Sequence, residues 1–151
     1  MKPEYLVAVD GSPEGEHALE HALDITDAKN GVLTVVYAVQ PDIYKGARDE
    51  PISGLSDAYR RDVLQSIDDA EDRGQEILKD AVAIAENHEQ DIETELLYGN
   101  PITEIPDYIE EEGFDAIFIG HRGQTERSDI GLGSVANAIV ERTTVPVTIV
   151  R

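Results

Sequence analysis

Apolar residues in this chain fall into short continuous runs separated by longer stretches in which they recur every three or four positions. Glu4 to Asp10 (EYLVAVD) is the first such run, closed by a turn signal, and it predicts a buried strand. Asp10-Gly11-Ser12-Pro13 follows, with Ser12 suited to an N-cap and Pro13 to the first helical position. Glu14 and Glu16 complement the dipole of a helix that should run to about Asn30. Val32 to Gln40 (VLTVVYAVQ) is a second β-rich run, too continuous for a strand with one wet face, and it belongs at the centre of a sheet covered on both sides.

Residues 41 to 56 mix Pro41, Gly46, Pro51, Ser53 and Gly54 with charges and read as a long loop, of the size usually found as a lid or without order. Beyond it, Tyr59, Val63, Ile67, Ala70, Gly74, Ile77, Ala81 and Ile84 are spaced by threes and fours, which makes one apolar stripe of a long helix. Gly74 on that stripe predicts a close approach to the sheet. Ile92 to Tyr98 reads as a strand, Gly99-Asn100-Pro101 as a turn, and Ile102 to Glu112 as a helix with Ile105, Tyr108 and Ile109 inward. Asp115 to Gly120 is the next strand, about Gly133 to Thr143 the next helix, and Pro146 to Val150 the last strand. The alternation predicts an α/β fold with a largely parallel sheet and helices on both faces.

A length of 151 residues fits one domain, able to bury roughly 68–70% of its unfolded surface without staples. No apolar run approaches the ~20 residues of a membrane span, and Met1-Lys2-Pro3-Glu4 does not open a signal peptide, so a cytoplasmic protein with no membrane partner is expected. Cysteine is absent, which excludes disulfides, a thiol nucleophile and thiolate metal sites. Charge changes the picture most. With 32 acidic and 12 basic residues the net charge is −20, and the acids divide evenly, 16 in residues 1–75 and 16 in 76–151. Such a coat disfavours nucleic acid as a partner and repels itself unless salt shortens the Debye length, to about 3 Å near 1 M. A salt-loving source is the leading explanation, with an ordinary acidic protein as the alternative.

Ligands of open α/β sheets bind beyond the carboxyl ends of the strands. The stretch from Gly120 to Ser134 lies at one such end and holds glycines at 120, 123, 131 and 133, together with Arg122 and Arg127. Glycines let backbone N–H groups turn toward an anion, and the helix beginning near Gly133 adds its positive end. Ser134 can offer its hydroxyl to a phosphate oxygen. This is a candidate phosphate-binding loop. It is not a P-loop, because no lysine follows Gly133. Gly131-Leu132-Gly133-Ser134-Val135-Ala136 matches G-x-G-x-x-A, but it starts eleven residues beyond Gly120 and only one more strand follows, too little for a dinucleotide fold. The G-x-S-x-G of a nucleophile elbow is absent.

Gly120-x2-Gly123-x9-Gly133-Ser134 resembles the ATP-binding signature of the universal stress protein family. The stretches Val9-Asp10-Gly11-Ser12, Gly133 to Val140 and Val145 to Arg151 are similar to that family too. The resemblance covers essentially the whole chain, although 41 to 91 adds nothing to it. It implies five parallel strands in the order 3-2-1-4-5, a homodimer and, for the glycine-signature subgroup, bound ATP, with Mg²⁺ accompanying the nucleotide. By position it implies that Asp10 meets the ribose or adenine side and that Ala38, where the family usually has valine, meets the adenine through its backbone. Gly120 and Gly123 would line ribose and phosphates, beside the Arg122 cation already read from the loop. Gly133, Ser134 and Val135 would hold the phosphates.

Plainer readings stand beside these. Asp10 reads equally as a turn former, and His121 equally as a phosphate contact or a solvated loop residue. His17 and His21 have a ligand-like spacing but should face outward, because Ala18, Leu19, Ala22 and Leu23 form the inward face. Glu110-Glu111-Glu112 reads as a solvated helix end. The expected role is nucleotide-dependent regulation, with no catalytic residue and no metal site assigned. A slow ATP hydrolase, using Glu126, Asp129 or Asp10, is the rival, and an empty dimeric scaffold is a third reading. Dimerisation is expected through the last strand, by way of Val147 and Ile149.

Overall fold

A computed structural model of the chain describes residues 2–40, 57–123 and 131–151, and for 57–66 only the backbone. The loop expected at 41–56, the side chains of Tyr59 and Val63, and Glu126, Arg127 and Asp129 lie outside the described residues. Among the described residues nine elements follow one another: β1 (Glu4–Ala8), α1 (Pro13–Lys29), β2 (Val32–Val39), α2 (Asp57–Asn87), β3 (Glu93–Tyr98), α3 (Pro101–Glu112), β4 (Ala116–Gly120), α4 (Ser134–Arg142) and β5 (Val147–Val150). The strands form one sheet of order β3-β2-β1-β4-β5, and every neighbouring pair is parallel.

The continuous apolar runs are explained by burial on both faces. Leu6 and Val7 are consecutive on β1, point to opposite sides and are both 0% exposed. Val7, Leu33, Val35 and Phe118 face α1 and α2, where Leu19, Leu23, Leu78, Ala81 and Ala85 cover them. Leu6, Val36 and Ile117 face α3 and α4, beneath Ile105, Ile109, Ala136 and Ile139. Register keeps the layers aligned, with Val7 opposite Val35 on one side and Phe118 on the other. Burial of one such aliphatic side chain contributes about 1.5–3 kcal/mol, so the two layers dominate the favourable side of folding.

Capping follows the local chemistry. Ser12 Oγ accepts the Gly15 N–H at 3.1 Å, and Asn30 closes α1 in the left-handed conformation. Asn100 caps α3 through the Ile102 N–H at 3.0 Å, so that helix starts at Pro101 rather than Ile102. β1 ends at Ala8, short of the expected end at Asp10, although Val9 still donates its N–H to the Val36 carbonyl at 3.0 Å before the chain turns into α1. The stripe of α2 is wider than the spacing suggests: Leu78 and Ala85 are buried, while Ile77 and Ile84 are half-buried at its margin. Gly74 makes the expected close approach, since a Cβ there would lie 2.9 Å from both Leu96 Cδ2 and Tyr37 Cδ2.

The two sheet edges differ. On β3, Glu93, Thr94 and Glu95 are exposed and put charge along the open edge, a common defence against strand pairing. β5 carries Val147 and Ile149, half-buried against the α3/α4 core, with exposed Thr148 between them. Tyr108 is half-buried beside Phe114, at 5.9 Å between ring centroids. Burial, and then the charges of Glu95, Glu112 and Glu93, push its phenol above the ordinary tyrosine range.

Candidate functional site

Strand order reverses at β1, because the chain passes from β1 to β2 and β3 on one side and returns to β4 and β5 on the other. Loops that leave neighbouring strands in opposite directions open a crevice at their carboxyl ends. A cleft of about 830 Å³ lies there. Asp10, Ala38, Gly120, Arg122, Gly123, Gly133, Ser134 and Val135, drawn from four separate segments, all line it.

At its centre is Asp10. One carboxylate oxygen, Oδ1, accepts the Ser12 N–H at 3.0 Å, so the turn-forming role is real. The other, Oδ2, faces Gly123: a Cβ on that residue would lie 2.5 Å from it. Gly120 is packed just as tightly, with a Cβ there falling 2.8 Å from the carbonyl carbon of Glu14 in α1. Both glycines of the first half of the signature therefore have packing reasons to be glycine, and their smallness brings the β4 loop down onto the β1 turn.

The second half presents a helix terminus. Gly133 is the N-cap of α4 and supplies no side-chain cap, so the first-turn N–H groups of Val135 and Ala136 have no acceptor within the helix. Partial positive charge accumulates at that end, beside the Ser134 hydroxyl and Arg122. One expected donor is already engaged: the Gly133 N–H donates to the His121 carbonyl at 2.9 Å. His121 also donates its own N–H to the Val150 carbonyl at 2.8 Å, which fastens the loop to β5 through the backbone.

Several lining residues carried no signal in the sequence reading. Tyr37 from β2, Arg73, Ile77 and Asp80 from α2, and Asn100 to Ile102 at the start of α3 complete the walls. The α2 group recurs at i, i+4 and i+7, beside the buried stripe, and that spacing is the signal that would have found it. Asn100 and Pro101 follow a parallel strand, the other legible cue. Charge in the described lining balances, Arg73 and Arg122 against Asp10 and Asp80, whereas the chain as a whole carries −20.

The remaining candidates fall elsewhere. His17 and His21 are exposed, as expected, but the His21 ring also lies edge-on to Phe118 at 5.7 Å. Among the described residues no three histidine, aspartate or glutamate side chains are grouped to hold a metal ion. Glu110 is not merely solvated, because it accepts the Thr144 N–H at 3.0 Å and ties the end of α3 to the approach to β5. Among the described residues no helix is long and apolar enough to cross a membrane.

Sheet order, parallel pairing and a cleft at the switch point define a doubly wound α/β protein. The chain belongs to the universal stress protein family, whose family model matches residues 4–151. A universal stress protein of Methanocaldococcus jannaschii is 29% identical over 146 residues, 97% of this chain and 80% of its own. The solved structure of the universal stress protein UspA from Lactobacillus plantarum has the same fold, with a TM-score of 0.82 at 21% identity over 99% of this chain and 97% of that one. A universal stress protein from Archaeoglobus fulgidus, solved in complex with dAMP, has a TM-score of 0.64 at 23% identity over 100% of this chain and 98% of its own.

The contact between Asp10 and Gly123 yields a direct prediction. Gly123→Ala should cost about 1–3 kcal/mol in urea unfolding, because the added methyl meets the carboxylate. Adding Asp10→Ala to it should cost less than the sum of the two single changes, and simple additivity would show that the two residues do not press on one another.

Proposed function

We propose that this chain is a nucleotide-dependent regulatory stress protein that binds ATP in the cleft and acts as a homodimer. The observation that carries the reading is the N-terminus of α4, whose N-cap Gly133 has no side chain to cap it, opening into the cleft beside Ser134 and Arg122 in an otherwise strongly acidic chain. An anionic group fits there for a physical reason: N–H groups without helical acceptors and a guanidinium supply the charge-assisted bonds that phosphate oxygens accept. The dAMP-bound relative of the same fold supports an adenine nucleotide as the ligand. In this assignment Val135, Ala136 and the Ser134 hydroxyl hold phosphates, Gly120 and Gly123 leave room for the sugar, and Asp10 and Ala38 meet the ribose and base.

Binding without fast turnover is the expected behaviour. ATP hydrolysis would need a positioned base and a metal held at the γ-phosphate. Asp10, the described member of the three carboxylates named for the base, already uses Oδ1 in its turn. Any Mg²⁺ would arrive with the nucleotide, and ATP should survive incubation with the protein for many minutes.

Mass spectrometry of small molecules released on denaturation, followed by calorimetry, tests the ligand. Gly133→Val should abolish ATP binding by crowding the helix start, and Ser134→Ala should weaken it by about 1–3 kcal/mol. Unchanged affinity in both variants would overturn the assignment.

The dimer rests on β5, which has a neighbour on one side only. Two such edges related by a dyad would pair antiparallel and cover Val147 and Ile149 further. Light scattering at high KCl should give twice the chain mass. Ile149→Asp or Val147→Asp should shift it to one chain with circular dichroism unchanged. A wild-type monomer rejects the dimer, and a dimer that survives both substitutions rejects β5 as the interface.

The acidic coat is assigned to a salt-rich interior. Melting temperature should rise as KCl increases from about 0.1 M toward several molar, because screening relieves self-repulsion. A flat or falling trend would remove that explanation.

A further inference from the structure

The nucleotide assignment uses the β1 turn, the end of β2, the β4 loop and the start of α4, and it gives no role to the α2 wall of the cleft or to the start of α3. The charged groups among these are on α2. Arg73, Ile77 and Asp80 line the cleft from one side of the helix, next to Tyr37 of β2. The position of the wall is fixed, because at Gly74 the α2 backbone is pressed onto the side chains of Tyr37 and Leu96, where a Cβ would come within 2.9 Å. Arg73 and Asp80 are therefore carried by a helix that cannot shift toward the sheet.

Among the described residues Arg73 and Asp80 form no hydrogen bond or ion pair. They are seven residues apart, about 10 Å along the helix axis, too far for a pair between helix neighbours. The half-buried Ile77 lies between them. An arginine only donates hydrogen bonds and an ionised aspartate only accepts them. The wall thus offers donors at one end, an apolar surface in the middle and acceptors at the other.

We propose that this stripe selects the base of the bound nucleotide. The inference rests on the nucleotide reading above. The base lies with its ring against Ile77, a ring nitrogen accepts from the Arg73 guanidinium, and an exocyclic amine donates to the Asp80 carboxylate. Adenine has that pairing of acceptor nitrogen and donor amine. A purine with a carbonyl in place of the amine sets two acceptors against one another at Asp80, and this repulsion is what discriminates against it. Arg73 and Asp80 are specificity-determining residues in this scheme, and both are exposed enough to substitute without disturbing the core.

Calorimetric titration of the full chain with ATP and with inosine triphosphate tests the wall, since the two differ at the exocyclic position. The wild type should bind ATP at least about tenfold tighter. Asp80→Asn, whose amide both donates and accepts, should bring the ratio to within about twofold, chiefly by improving the inosine nucleotide. Arg73→Gln should weaken both nucleotides by about fivefold or more. A wild type that binds ATP but does not discriminate, or variants that keep the wild-type affinities and ratio, would overturn the base-selecting wall and leave the nucleotide site standing. A wild type that binds neither nucleotide would overturn both.

Discussion

Burial of the central strands on both faces is the constraint from which the rest of the structure follows. Leu6 and Val7 of β1, adjacent in sequence and both fully buried, require a layer of helices above and another below. A parallel sheet built from right-handed crossovers meets that requirement only if the chain winds first to one side of β1 and then to the other. The reversal opens the crevice where β1 and β4 send their loops apart. The cleft is thus a consequence of how the hydrophobic layers close, lined by the residues that leave the strands there and by the flank of α2 beside them.

Close contacts at the strand ends convert that opening into a shaped site. Gly120 allows β4 to lie against the backbone of Glu14, and Gly123 allows the following loop to lie against Asp10. His121 then joins two distant elements through its backbone, giving its N–H to Val150 of β5 and receiving the Gly133 N–H at the start of α4. Two hydrogen bonds of this kind contribute on the order of 1 kcal/mol each, a modest stabilisation but a firm geometric tie. The mouth of the cleft and the edge strand are connected by one residue, so displacement of either is felt by the other.

Electrostatics distinguishes the cleft from the surface around it. The chain carries −20, yet the described lining holds as many arginines as aspartates. Local neutrality matters because charge interactions in a crevice with low-dielectric walls are stronger than on an open surface. Elsewhere the acids act on what lies near them, as at Tyr108, where Glu95, Glu112 and Glu93 add to burial in holding the phenol protonated to higher pH.

The sequence by itself determined the elements, their order and the two-sided sheet, because the runs EYLVAVD and VLTVVYAVQ are apolar at both parities and the intervening segments repeat at helical spacing. It also brought out Gly120, Arg122, Gly123, Gly133 and Ser134, since glycines, an arginine and a serine at the end of a strand leave a local trace, whereas Asp10, Ala38 and Val135 came only with the family resemblance. What only the tertiary structure decided are relations between segments far apart in the chain. Nothing local in Gly123 shows that its missing side chain makes room for Asp10, and nothing in Gly133 shows that its N–H is taken by His121. Arg73 and Asp80 read as ordinary charges beside the apolar stripe that holds Ile77 until Gly74 is seen to press that helix against Tyr37. Periodicity specifies which face of an element is buried. Which residues at the margin of that face meet a cavity depends on where the neighbouring elements end, and that is fixed only when the layers pack.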